Sequence, residues 1–230
     1  MSDNQVGTYK LVASPFHLDV RGKLSIGVLG KHLLNCADAY AAERGFDVVE
    51  QEGEHYTWVL SRLAVELDDL PSCHESFSIQ TWVENVYRLF ADRNFAILNK
   101  DDKPIGYVRS VWAMISMETR TPANLLTLHG ERITNSICEK ECPISKPGRV
   151  KVSQQEAVSE YVAKYSDLDI NGHVNSIKYI EHILDLFPLD TYKEKALKRF
   201  EIAYVAESYY GDALSFYLEQ KGENEYDIEV

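Results

Sequence analysis

The sequence predicts an α+β fold in which one unit, a long helix followed by antiparallel strands, occurs twice. Two amphipathic helical segments lie in similar settings, and strand-like segments follow each of them. Between the two copies, Ile137–Arg149 contains Pro143 and Pro147 and has the composition of a linker. We therefore expect two domains, at residues 1–146 and 147–230.

The first helical segment runs from Leu29 to Ala41, and Gly45 follows it as a C-terminal cap. The apolar residues of this segment that recur at helical spacing are Leu29, Leu33, Cys36, Ala37 and Tyr40.

The second helical segment runs from about Asn175 to Phe187. Asn175 or Ser176 is expected to cap its start, and Pro188 to end it. The residues that mark its apolar face are Val174, Ile177, Ile180, Ile183, Leu184 and Phe187.

Strand-like segments with the alternation of a half-buried strand follow each helix. They are Thr57–Leu67, Phe77–Val86, Phe90–Leu98 and Ile105–Met117 in the first copy, and Phe200–Val205 and Ala213–Glu219 in the second. At an offset of 137 (199 minus 62), Arg62–Leu67 matches Arg199–Tyr204, which supports a repeat. The second copy stops within a strand at Tyr226–Val230, without the final strand pair of the first copy. Proteins normally avoid the exposed sheet edge that this would leave, so we expect the last strand to be missing from this sequence.

Charge and composition exclude several classes of function. The net charge of −12 argues against nucleic-acid binding, which needs a basic surface. No leader-like segment and no apolar run of roughly 20 residues is present, so no membrane span and a cytoplasmic location are expected. Cys138 and Cys142 could form half of a metal site, but their spacing is loose and the other two cysteines, Cys36 and Cys73, lie far away in sequence. Reduced thiols without a metal are the favoured interpretation.

The richest segment in chemical groups is Asp167–Asn175, directly before the second helix. It places a carboxylate, an amide and an imidazole at Asp169, Asn171 and His173, and Glu207 follows the next strand. Such groups can activate a water and hold a developing oxyanion. Asp and Asn before a helix are also common caps and turn formers, and spacing alone leaves both interpretations open.

The stretch Asp167–Ile180, DLDINGHVNSIKYI, closely resembles the signature of the acyl-acyl-carrier-protein thioesterases of plant plastids and bacteria. Further segments agree in order along the chain: Leu33–Asn35, Trp58–Arg62, Thr81–Val83, Ser110–Met114 and Tyr204–Ser208. The resemblance implies two tandem hotdog domains, each a long central helix wrapped by an antiparallel sheet. It also implies a first domain that shapes the acyl pocket and is not catalytic.

By the same resemblance, the chain hydrolyses the thioester of acyl-acyl carrier protein and releases a free fatty acid. Acyl carrier protein is then the partner, no cofactor is needed because water is the second substrate, and a homodimer is compatible with the family. The implied catalytic residues are Asp169, Asn171, His173 and Glu207, with Ser208 at the position of a plant cysteine.

Ser208 departs from the plant pattern and disfavours a cysteine nucleophile. A serine nucleophile is conceivable but needs a base and an orienting group. We favour direct attack by water, activated by Asp169 and His173, with Asn171 positioning and Glu207 supporting.

Two other functions remain open: an acyl-coenzyme A thioesterase, and a non-catalytic acyl-binding module of the same fold. Carrier docking would need a basic surface, for which one cluster is available, although a solvated face is the simpler interpretation. That cluster consists of Lys193, Lys195, Lys198 and Arg199.

Overall fold

The computed structural model describes residues 5–51, 53–148 and 150–230 and contains two compact units. The first unit comprises the chain up to Pro147 together with Ala196–Ala203. The second comprises Gly148–Lys195 together with Tyr204–Val230. The strand segment at 196–203 thus groups with the first unit, whereas we had assigned it to the second copy. The limits 1–146 and 147–230 stay a prediction.

The first unit is built around an 18-residue helix and one antiparallel sheet. Its helices are α1 (Ile26–Glu43), α2 (Leu125–Leu128) and α3 (Glu131–Thr134). Its strands are β1 (Gly7–Val12), β2 (Val49–Gln51), β3 (Glu54–Leu67), β4 (Ser76–Val86), β5 (Ala91–Leu98), β6 (Pro104–Ser116) and β8 (Arg199–Ala203).

The seven strands follow the order β1-β4-β5-β6-β3, with β2 and β8 both paired to β3. The two segments that match at offset 137 are direct neighbours, because Arg62–Glu66 of β3 pairs antiparallel with Arg199–Ala203 of β8. Strand β5 is buried along its whole length, which places the core on both of its faces.

Helix α1 begins where the Ser25 side chain accepts a hydrogen bond from the Val28 N–H, which satisfies one of the free donors of the first turn. It ends at Glu43, and Gly45, just past the end, has a φ of 68° in the left-handed region that glycine adopts at low cost. The predicted apolar face is confirmed, since Leu29, Leu33, Cys36, Ala37 and Tyr40 are all buried. Each large aliphatic side chain buried in this way stabilises the fold by about 2 kcal/mol.

The second unit is smaller. It contains β7 (Ser159–Val162), α4 (Ser176–Leu184), α5 (Leu189–Glu194), β9 (Ala213–Gly222) and β10 (Glu225–Glu229). The three strands form an antiparallel sheet in the order β10-β9-β7.

Helix α4 buries Ile177, Ile180 and Ile183, as the spacing predicts. It ends three residues earlier than predicted, and Leu184 and Phe187 are only half-buried. The chain turns after Leu184 and Pro188 opens α5, because proline suits the first positions of a helix and cannot continue one.

Strands β1 and β7, which precede the two helices, were not predicted. Each pairs with a strand further along the chain than its helix, β1 with β4 and β7 with β9. Both are short, and β7 has only four residues, so alternation gave little signal.

Candidate active site

The loop before α4 is a tight, internally hydrogen-bonded turn. The Asp169 N–H donates to the His173 carbonyl at 2.8 Å, and the Gly172 N–H donates to the Asp169 carbonyl at 3.1 Å. Gly172 has φ 80°, which a side chain would strain. This turn carries Asn171 at its exposed tip and His173 at its end.

The Asp169 carboxylate holds this turn closed. Its Oδ1 accepts hydrogen bonds from the backbone N–H of Asn171 at 2.8 Å and of His173 at 3.2 Å. Such a side-chain bond to the backbone two residues on is the usual reason for an aspartate at this position of a turn. The carboxylate therefore fixes where the Asn171 and His173 side chains begin.

The first unit contains the same turn at an offset of 150 (169 minus 19). Asp19 Oδ1 accepts from the N–H of Arg21 at 2.9 Å and of Lys23 at 3.1 Å, and Gly22 has φ 72°. The offset of 137 aligns the strands but not these turns, which match at an offset of 150. The Asp-x-x-Gly pattern that both turns share could have revealed this second alignment. The two turns differ where Arg21 and Lys23 stand in place of Asn171 and His173.

His173 lies beside the segment that carries Glu207. The Val174 N–H donates to the Ser208 carbonyl at 2.8 Å, so the two segments run side by side. His173 Nε2 is 3.5 Å from Glu207 Oε2, and the His173 and Tyr209 rings meet edge to face with centroids 5.0 Å apart. The His173 side chain is 15% exposed and that of Glu207 38%, so the imidazole is held in place and the carboxylate borders solvent.

Ser208 lies beside Tyr179. Its hydroxyl lies close to the buried hydroxyl of Tyr179 without closing a well-formed hydrogen bond. Burial raises the pKa of Tyr179, and the nearby Ser208 groups only partly oppose it. A phenol that stays protonated cannot serve as the base that a serine nucleophile needs.

The start of α4 is capped by its own loop. Asn175 Oδ1 accepts from the Ile177 N–H at 2.9 Å, and the Lys178 N–H donates to the Asn175 carbonyl at 2.8 Å. The cap interpretation of Asn175 is thus confirmed. The N–H groups of Ile177 and Lys178 at the start of the helix are therefore already occupied.

A further cluster in this unit, around Asp167 and His182, was missed as a group. Asp167 is buried and accepts hydrogen bonds from Tyr161, from the Lys164 N–H and from His182. The carboxylate precedes α4 and the imidazole lies within it. The signal that could have found this pair is again the offset of 150, which aligns Asp167 with His17 and His182 with His32.

The predicted basic cluster is partly neutralised by local partners. Lys193 pairs with Asp190 at 2.9 Å in the second unit, and Arg199 pairs with Glu66 and Glu201 in the first. The carrier docking surface therefore gains no support from these cations.

Within residues 5–51, 53–148 and 150–230, no group of three or more His, Cys, Asp and Glu side chains is arranged to hold a metal ion. Burial raises the pKa of Cys36 to about 12, which leaves an inert thiol. Over the same ranges, no helix is both long enough and apolar enough to span a membrane.

Two family models cover most of the chain. Residues 9–127 match the Acyl-ACP thioesterase N-terminal domain, and residues 150–229 match the Acyl-ACP thioesterase C-terminal domain. A curated relative, a chloroplastic palmitoyl-acyl carrier protein thioesterase of Gossypium hirsutum, is 26% identical over 78% of this chain and 46% of its own length. The chain thus spans about half the length of the curated relatives that it matches.

Solved structures agree with this assignment. A crystal structure of an acyl-ACP thioesterase from Bacteroides thetaiotaomicron is 59% identical, with a TM-score of 0.93 over 99% of this chain and 93% of that one. The 12:0-ACP thioesterase from Umbellularia californica is 14% identical, with a TM-score of 0.78 over 98% of this chain and 88% of its own, and shows the fold alone. The predicted fold class, α+β with two tandem hotdog domains, is confirmed, and the chain belongs to the acyl-ACP thioesterase family.

Proposed function

We propose that this protein hydrolyses the thioester of acyl-acyl carrier protein and releases a free fatty acid. The observation that carries the proposal is the pairing of His173 with Glu207 at the end of a turn that also presents Asn171. The first unit keeps the turn but has Arg21 and Lys23 in those places, so the pair belongs to the second unit alone.

In the proposed reaction, His173 takes a proton from water through the ring nitrogen that does not face Glu207. The water oxygen bonds to the thioester carbonyl carbon. Glu207 orients the imidazole and stabilises its positive charge, as the carboxylate does in a catalytic triad. The 3.5 Å separation is long for a hydrogen bond, as is common without substrate.

The oxyanion formed by this attack needs a donor. We assign that role to the exposed side-chain amide of Asn171, because the capped N–H groups of α4 are occupied. The intermediate then collapses, the carbon–sulfur bond breaks, and the carrier thiolate takes the proton back from His173. Water is thereby consumed, and a fatty acid and a thiol are formed.

Asp169 receives a different role from the one that we expected. Its Oδ1 holds two backbone N–H groups, and Asp19 makes the same two bonds in the unit without the imidazole. We therefore propose that Asp169 positions the turn, while His173 and Glu207 carry the proton transfer.

The decisive experiment is to measure fatty-acid release from a panel of acyl carrier proteins, and from coenzyme A thioesters of equal chain length, by wild type and His173→Ala. We expect release from the carrier substrates and a loss of about 10³-fold in kcat for the variant. Faster release from coenzyme A would favour that thioester as substrate. Failure to release fatty acid from any thioester would favour a non-catalytic acyl-binding module.

A further inference from the structure

One buried carboxylate joins three parts of the second unit. The Asp167 side chain is 2% exposed, and its Oδ2 accepts from the Tyr161 hydroxyl and from the Lys164 N–H, both at 2.8 Å. Its Oδ1 is 3.2 Å from Nε2 of His182. Strand β7, the loop and helix α4 therefore meet at this group.

The same residue is linked to the candidate active site. The Asp167 carbonyl accepts from the Asn175 N–H at 2.8 Å, which closes the loop at the residue that caps α4. The turn from Asp169 to His173 lies between these two points. A shift of Asp167 against α4 would therefore move the base of the turn that carries His173.

The first unit lacks this carboxylate. At the offset of 150, His17 replaces Asp167 and His32 replaces His182. His17 Nδ1 accepts from the Ser14 N–H, as Asp167 accepts from Lys164, but the two rings meet edge to face at 5.6 Å. His32 Nε2 is buried without a hydrogen-bond partner among the described residues.

We infer that Asp167 and His182 are positioning residues for the reaction, and that their pair holds the His173 turn against α4. The inference rests on the proposed function. A buried carboxylate is costly unless it is hydrogen-bonded, so the unit keeps these contacts closed. The Tyr161 ring, 4.0 Å from that of His182, packs against the pair and restricts its motion.

The test compares His182→Phe, which keeps an aromatic ring beside Tyr161 and removes the donor, with His182→Gln, whose amide can donate from nearly the same place as Nε2. We expect kcat to fall about 10- to 100-fold in the Phe variant with little change in KM, because displacing the turn misaligns His173. The Gln variant is expected to recover most of the loss.

The matched control is His32→Phe, at the equivalent helix position of the first unit, where Nε2 has no hydrogen-bond partner to lose. We expect its kcat to stay within about two-fold of wild type, because the first unit holds no such pair. A second readout is the NMR signal of the His173 ring, which should shift in His182→Phe and not in His32→Phe.

Unchanged kcat and unchanged His173 signals in folded His182→Phe would overturn the inference, as would a Gln variant no better than the Phe variant. If the Phe variant does not fold, Tyr161→Phe removes one donor to the same carboxylate and must then shift the His173 signals and lower kcat. The NMR readout distinguishes failure of this inference from failure of the proposed function, because it reports the position of the His173 ring even if the protein hydrolyses no thioester.

Discussion

Asp19 and Asp169 each accept hydrogen bonds from the backbone N–H groups two and four residues further on. Only the turn of Asp169 ends in a histidine. At the scale of single residues, the shared carboxylate closes a turn, and we propose that the residues that differ, Asn171 and His173, supply the chemistry. The Asp169 carboxylate therefore has a local structural role in the turn, and in our proposal His173 and Glu207 carry the proton transfer.

The first residue-scale prediction concerns Glu207. Glu207→Gln keeps the shape of the side chain and removes the charge that stabilises the His173 imidazolium. We expect kcat to fall about 10²-fold while KM changes little, measured by fatty-acid release. Glu160→Gln, at an exposed carboxylate of β7, is the control and should behave as wild type. Equal kcat values for wild type and Glu207→Gln would remove Glu207 from the mechanism.

The second residue-scale prediction concerns Ser208. Its hydroxyl lies by Tyr179, so Ser208→Ala should keep kcat within about three-fold of wild type. Steady-state kinetics measures this directly. An acyl-enzyme found on Ser208 by mass spectrometry would show instead that the serine is the nucleophile.

At the scale of elements, each unit combines a turn closed by aspartate and glycine with a capped helix. Gly22 and Gly172 have φ of 72° and 80°, and an added Cβ would meet nothing within 4 Å at either position. Substitution at these positions therefore tests backbone strain alone, without steric clash.

Gly22→Ala and Gly172→Ala form a matched pair for the two turns. Each should lower the free energy of unfolding by about 1 kcal/mol, because alanine is strained at positive φ. Only Gly172→Ala should also lower kcat, since only its turn carries His173. Urea unfolding and kinetics on both variants provide the measurement, and an equal loss of kcat in both would mean that the turn has no special role in the second unit.

At the scale of the whole molecule, stability depends on pH through paired carboxylates. Burial by itself raises the pKa of Asp167, but hydrogen bonds from the Lys164 N–H, Tyr161 and His182 outweigh it and hold that pKa below its usual value. The folded protein then binds this proton more weakly than the unfolded chain. Asp167 therefore stabilises the fold above about pH 4, and the contribution is lost as pH falls through the folded-state pKa.

The corresponding prediction is that Asp167→Asn unfolds more easily than wild type at pH 7, by about 3 kcal/mol, and that the difference narrows towards pH 3. Urea unfolding at both pH values measures it. Asp190→Asn, at a carboxylate whose side chain is 80% exposed, is the control and should differ little from wild type at either pH. A difference for Asp167→Asn that is constant with pH would mean that the charge of Asp167 is not involved.

Several features were predictable because they depend on local pattern. The apolar face of α1 and the Asn175 cap follow from periodicity and capping chemistry that operate within a few residues. The short strands β1 and β7 were not predictable in this way, because their role comes from pairing with strands distant in sequence.

The candidate site also combines features that local pattern predicts with features that depend on distant contacts. Asp169, Asn171 and His173 were named from the polar segment before the second helix, and Glu207 and Ser208 from the segment Tyr204–Ser208. Their roles were not separable by spacing. Three contacts decide those roles, and each joins residues from different parts of the chain. Glu207 lies near His173, Ser208 lies beside Tyr179, and Asp167 is buried against His182.

Periodicity, turn formers and caps act locally, so the fold class, the repeat and the polar residues before the second helix could be read from the chain alone. Which of those residues close the turn and which face one another became visible in the folded protein. Hydrogen bonds and ion pairs depend on distances of a few ångströms between segments far apart in the chain, and no spacing in the sequence fixes those distances.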